Sequence, residues 1–214
     1  MLLFRIIKRT SLMLFIVLNT LLISCFLPTL ADATVLYTAD TAGSVIVQSR
    51  RTLRDQQRHS WQVVAFKPIE ADGREGEVYL RLIGFPGTVT IDHSQPIWLT
   101  GLNGQSLTVA NISDRISQNP LQPHVGQYNL QAALPALPIE DRLQLDLPLL
   151  PEAEFTASVA TDIAAPATLQ ISPAQLEEWQ TVANIHVSDL IHACHKFPTE
   201  ALQNPAFPDW LKCK

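Results

Sequence analysis

Cysteine is scarce in this chain. Only three occur in 214 residues, and one of them, Cys25, lies inside an apolar N-terminal run. That scarcity leaves room for a single disulfide. Basic residues are also short, with 15 Lys and Arg against 20 Asp and Glu and a formal net charge of −5. An acidic domain of this kind is a poor nucleic-acid binder. No G-x-S-x-G nucleophile motif is present, so the neighbours Asp92 and His93, with Ser94 or Ser60, make a weak case for a hydrolytic triad. Adjacent residues of a strand also face opposite sides of a sheet. No internal repeat, low-complexity segment or cofactor motif is visible, and no cofactor is expected.

What is present at the N-terminus concerns compartment. Arg5, Lys8 and Arg9 precede the apolar run "SLMLFIVLNTLLISCFL", which Pro28 breaks. "ADA" follows, with small Ala31 and Ala33 where a signal peptidase requires them. This reads as a secretory signal over residues 1–33, with Thr34 as the mature start. "LISC" offers a second reading, a lipobox in which Cys25 carries a lipid anchor. The length of the apolar run offers a third, an uncleaved membrane anchor. The leader has no twin-arginine pair, so the general secretory route is expected. All three readings place the rest of the chain outside the cytoplasm. Cleavage takes away Arg5, Lys8 and Arg9 together with Asp32, making the formal charge more negative by two.

Removal or lipidation of Cys25 leaves Cys194 and Cys213. An even pair in an exported chain predicts one disulfide. It would close a loop of about 20 residues, worth on the order of 3 kcal/mol in the chain-entropy description.

From Val45 to Ala110 the text is a series of short strands: "SVIVQS", "SWQVVAFK", "EVYLRLIG", "TVTID", "QPIWLT" and "QSLTVA". Turn signals separate them, and Pro86-Gly87 suits the centre of a type II turn. "QYNLQAAL" reads as one helical turn stopped by Pro135. "DRLQLDLPL" reads as a strand at a sheet edge, because Pro148 follows. "EFTASVATDIAAPATLQI" adds one or two more. The series predicts a mainly β domain over residues 34–171, an antiparallel sandwich or open barrel of about seven to nine strands.

Residues 172–214 change period. Ser172 as N-cap, Pro173 at the first helical position and Gln175 in a capping box start a helix. It should pack on the sheet through Leu176, Trp179, Val182 and Ala183. A second helix is expected from Val187 to about Phe197, followed by a proline-broken tail that returns to Cys213. On this second helix, an advance of 100° per residue puts Val187, Leu190, Ile191, Cys194 and Phe197 on one face. Asp189, His192 and His195 take the other, where their spacing of three allows a metal site with His186 nearby. A solvated polar face is the plainer reading. Cys194 points about 160° from His192, so one metal ion does not readily take both.

The segments "SRRTLRDQQRHSWQVVAFK", "VYLRLIGFPG", "VGQYNL" and "EEWQTVA" together resemble a family of small exported cyanobacterial proteins with no assigned function. The likeness runs from Val35 to Ala183. It implies a compartment, the periplasm or thylakoid lumen, and carries over no catalytic or binding residue.

Arg50, Arg51, Arg54 and Arg58 fall within nine residues of an acidic chain. They form a candidate patch for an acidic partner protein or an anionic lipid surface. A solubilising hairpin that discourages edge pairing is the plainer reading. The expected function is a non-enzymatic extracytoplasmic accessory or binding protein with a protein partner at or near a membrane, such as a photosynthetic complex. The alternative is an enzyme or small-ligand carrier with a pocket between sheet and helix.

Overall fold

The computed structural model describes residues 35–39, 43–115, 122–138, 140–151 and 165–192. The longest element is a hairpin of two ten-residue strands, β2 (Val45–Arg54) and β3 (Ser60–Ile69). Its inward phase carries Val45, Val47, Trp61, Val63, Ala65 and Ile69, each at most 1% exposed. The opposite phase is mixed: Gln48, Val64 and Phe66 are buried there, while Arg50, Thr52 and Arg54 are exposed. β1 (Val35–Ala39) pairs with β2, β4 (Tyr79–Ile83) with β3, and β7 (Val125–Asn129) with β4. The first sheet therefore runs β1-β2-β3-β4-β7, antiparallel throughout.

The second sheet consists of β5 (Ile97–Gly101), β6 (Ser106–Val109), β8 (Leu143–Leu147) and β9 (Ala167–Ile171). Its order is β6-β5-β8-β9, and it is also antiparallel. Ile97, Leu99, Leu143, Leu145, Leu147, Leu169 and Ile171 are buried in one hydrophobic cluster with the inward residues of the first sheet. Each such aliphatic side chain contributes on the order of 1.5–3 kcal/mol when fully buried. The protein is thus mainly β, with two open antiparallel sheets face to face and no closed barrel among the described residues.

Helix α1 (Pro173–Asn184) follows β9 directly and covers the first sheet over β1, β2 and β3. Its start is as the sequence predicts: Ser172 and Gln175 form a reciprocal capping box, with Pro173 in the first turn. Leu176, Trp179 and Val182 are buried beneath it. A short helix α2 (Val187–His192) comes next, with Leu190 buried. Ile191 is 47% exposed, so it does not share the inward face expected for it. One step of about 100° past Leu190 carries it off the contact.

Other details depart from the sequence reading. "TVTID" contributes one isolated bridge, Ile91 to Leu149, and no strand. The residues of "QYN" extend β7 instead of turning, because Tyr128 faces inward and is fully buried. The short 3-10 turn comes later, at Leu134–Ala136. β8 lies between β5 and β9, not at an edge. Pro148 is one residue beyond it and removes no ladder bond, while its carbonyl accepts from the Asp92 amide at 3.0 Å. The Pro86-Gly87 turn is as expected: Gly87 has φ 79°, and the Thr88 amide donates to the Phe85 carbonyl at 3.2 Å.

The hairpin tip is held by Asp55, which is buried. Its carboxylate accepts from the Trp61 indole at 3.0 Å and the His59 amide at 2.8 Å. The chain then turns through Arg58 in the left-handed region, φ 69°. Asp55→Ala leaves a buried indole N–H without its acceptor and is expected to cost about 1–2 kcal/mol. A shift in the urea midpoint at constant slope measures it.

Candidate functional site

A cleft of about 640 Å³ opens where the end of β3, the β3–β4 connection, the turn after β7 and the C-terminal end of α1 converge. Its central side chain is Lys67. The sequence puts Lys67 in phase with Trp61, Val63 and Ala65, so it points inward and is only 5% exposed. A buried ammonium needs partners for all its protons. Lys67 Nζ finds three: Glu75 Oε2 at 2.6 Å, the Ile185 carbonyl at 2.9 Å and the Ala183 carbonyl at 3.2 Å. It thereby caps the C-terminal end of α1, where a cation is favoured.

Glu75 joins this end to the start of α2. Its Oε1 accepts the Val187 amide at 3.0 Å, and His186 Nδ1 lies 3.0 Å from its Oε2. Burial disfavours ionisation of Glu75, but the bonds from Lys67, the Val187 amide and His186 outweigh that and hold its pKa at about 2. A carboxylate so firmly ionised is badly matched to proton transfer near neutrality. Glu77, Gln131, Gln180 and Asn184 also line the cleft, and Glu77 accepts from Asn129 at 2.8 Å. A second hollow of about 320 Å³ at the end of the second sheet has no titratable side chain in its lining.

A second buried charge lies beneath α1, against β2. Glu178 is 1% exposed and accepts from Ser49 Oγ at 2.5 Å and from Arg51 through Nε at 3.1 Å and through Nη2. The four arginines of the sequence patch are therefore not brought together. Arg51 faces inward and is bound to Glu178. Arg50 and Arg54 share the exposed outer face of β2, and Arg58 sits at the exposed hairpin tip.

Asp189 Oδ2 accepts the His186 amide at 2.9 Å, which caps α2. His192 is exposed at the last described position. His195 lies outside the described residues, as do Cys25, Cys194 and Cys213. No group of three His, Cys, Asp or Glu among the described residues is placed to hold a metal. Asp92 Oδ1 accepts from the Ser94 amide and hydroxyl, at 3.0 and 2.6 Å, so it is committed to a local turn. No helix among the described residues is long and apolar enough to cross a membrane.

Lys67, Glu75 and Glu178 did not stand out in the sequence, and His186 did so only as a neighbour of the candidate metal residues. The available signal was phase: Lys67 occupies an inward position of a largely apolar strand, and an inward charge demands a buried partner.

No curated protein and no solved structure matches the chain. A family model does, over residues 33–182, which takes in both sheets and α1 nearly to its end. The chain belongs to that family, described as protein of unknown function (DUF3122).

Proposed function

We propose that the protein is a non-enzymatic accessory or binding module that works outside the cytoplasm of a cyanobacterium, in the periplasm or thylakoid lumen. In this reading it serves a protein partner at or near a membrane, such as a photosynthetic complex. One observation carries it: Lys67, Glu75 and His186 in the main cleft are bonded to one another, whereas Arg50 and Arg54 stand exposed on a sheet face. Groups already engaged internally are poorly placed to work on a substrate, and exposed cations on a rigid sheet are well placed to meet an anionic surface. The signal-like leader supports export, and the resemblance over Val35 to Ala183 supports the compartment.

A small-ligand carrier is the second reading. It is favoured by the position of the cleft between sheet and helix, with neutral Gln131, Gln180 and Asn184 in its wall. Affinity purification of the tagged protein from its native membranes separates the two. Reproducible recovery with one complex is the expected result. Recovery of the protein alone, over repeated preparations, argues for the carrier.

A further inference from the structure

The outer face of the first sheet is ordered by its register. Arg50 lies opposite Val64, Val64 opposite Arg81, and Arg81 opposite Gln127, so these four stand in one row across β2, β3, β4 and β7. Neighbouring strands are about 4.8 Å apart, which puts the two arginine Cα atoms about 10 Å apart. The sequence does not group Arg81 with the others, since it lies 31 residues beyond Arg50.

Arg81 is held in place. Its guanidinium carbon stands 4.9 Å from the centre of the Phe66 ring. Nε and Nη2 donate to Gln127 Oε1 at 3.2 and 2.7 Å. Stacking and a neutral acceptor fix the plane of the fork and leave its charge without a counterion. Among the described residues no carboxylate pairs with Arg81, Arg50 or Arg54. Glu77, near the start of β4, is engaged by Asn129 at 2.8 Å and by the Tyr79 hydroxyl at 3.4 Å instead. Arg50 makes one long contact, 3.4 Å to Gln48 Oε1.

We infer that Arg50 and Arg81, across Val64, form a carboxylate-binding site that receives an acidic segment of a partner protein. Guanidinium forks match carboxylates with two parallel bonds, and a fork that is already oriented loses little freedom on binding. An anionic membrane is the weaker match. Polybasic attraction to lipid headgroups takes clusters of about four to eight Lys or Arg. Here Arg51 is turned to the other face, which leaves Arg50, Arg54 and Arg81 on this one.

This inference rests on the reading of the protein as a binding module, and it deepens that reading by naming the face and the partner's chemistry. The probe is a fluorescein-labelled decaglutamate peptide titrated with the purified protein and followed by anisotropy. Binding is expected to weaken at least about tenfold between roughly 50 and 300 mM salt, as screening requires. Arg50→Glu should weaken it by at least about tenfold, and Arg81→Lys, which keeps the charge and loses the fork, by at least about threefold. Arg50 is exposed, so its variant tests the site without disturbing the core. Arg142→Glu makes the same charge change next to the second sheet and should stay within about twofold. Equal losses in Arg50→Glu and Arg142→Glu would overturn the site, as would no peptide binding or preferential binding to phosphatidylglycerol vesicles. In the membrane preparation, a complex recovered equally with Arg50→Glu removes this face and leaves the binding reading intact. Recovery of no complex with the unaltered protein counts against the binding reading itself.

Discussion

Arg51→Ala is expected to destabilise the protein by about 3 kcal/mol, while Arg50→Ala, one residue away, changes stability by no more than about 0.5 kcal/mol. The two arginines differ only in strand phase. Arg51 points under α1 to Glu178, whose side chain is 1% exposed, whereas that of Arg51 is 32% exposed. Removing one partner of a buried pair leaves the other charge in a medium that solvates it badly, at a cost of about 3–5 kcal/mol. The surviving Ser49 bond and the partial exposure of Arg51 place this case at the lower end. Chemical denaturation of both variants with the unaltered protein measures the difference. Equal destabilisation by the two changes would contradict the buried pair. The result matters for function too, because reversing the whole arginine cluster would also break the Arg51–Glu178 pair and confound a loss of binding with a loss of stability.

The second large effect is one of pH. Glu75 has its pKa lowered from 4.5 to about 2 in the folded protein. A carboxylate whose folded value is depressed adds stability that is fully present above its unfolded value. That stability fades as pH falls through the window from 4.5 to about 2. Glu75 retains 29% side-chain exposure, so solvent screening reduces the contribution to roughly 2 kcal/mol at neutral pH. Glu75→Gln cannot ionise. Unaltered protein should therefore exceed it in stability by roughly 2 kcal/mol at pH 7, with the gap closing toward pH 2. A gap that stays constant across that range would show that the carboxylate's charge is not what joins α1 to α2.

The helix start was open to sequence reading because it is local. Ser172, Pro173 and Gln175 satisfy one another within four residues, and nothing distant alters the outcome. The hairpin strands were readable for the same reason, since "SVIVQS" and "SWQVVAFK" are short β-rich runs separated by a polar turn. β8 was misplaced because an edge is a property of the whole sheet: β9 pairs beyond it, and Pro148 is already past the ladder. The cleft depends on separations no local pattern carries. Lys67 meets carbonyls at Ala183 and Ile185, and Ser49 meets Glu178, each pair more than a hundred residues apart. Of the basic outer face, the sequence revealed Arg50 and Arg54 by crowding. It hid Arg81, which reaches the same row only through strand register.

The order of strands also governs when this chain can fold. β2, β3 and β4 are neighbours in sequence and can pair early, but β7 must wait for β5 and β6, which belong to the other sheet. The second sheet gains β9 only at Ala167–Ile171, and α1 follows after that. Until then Val45, Val47 and Ser49 have no cover from the helix, and β8 has a bare edge. Assembly dominated by such distant pairings is intrinsically slow. A growing chain of this topology stays unfinished, with open strand edges, until its last quarter has been made.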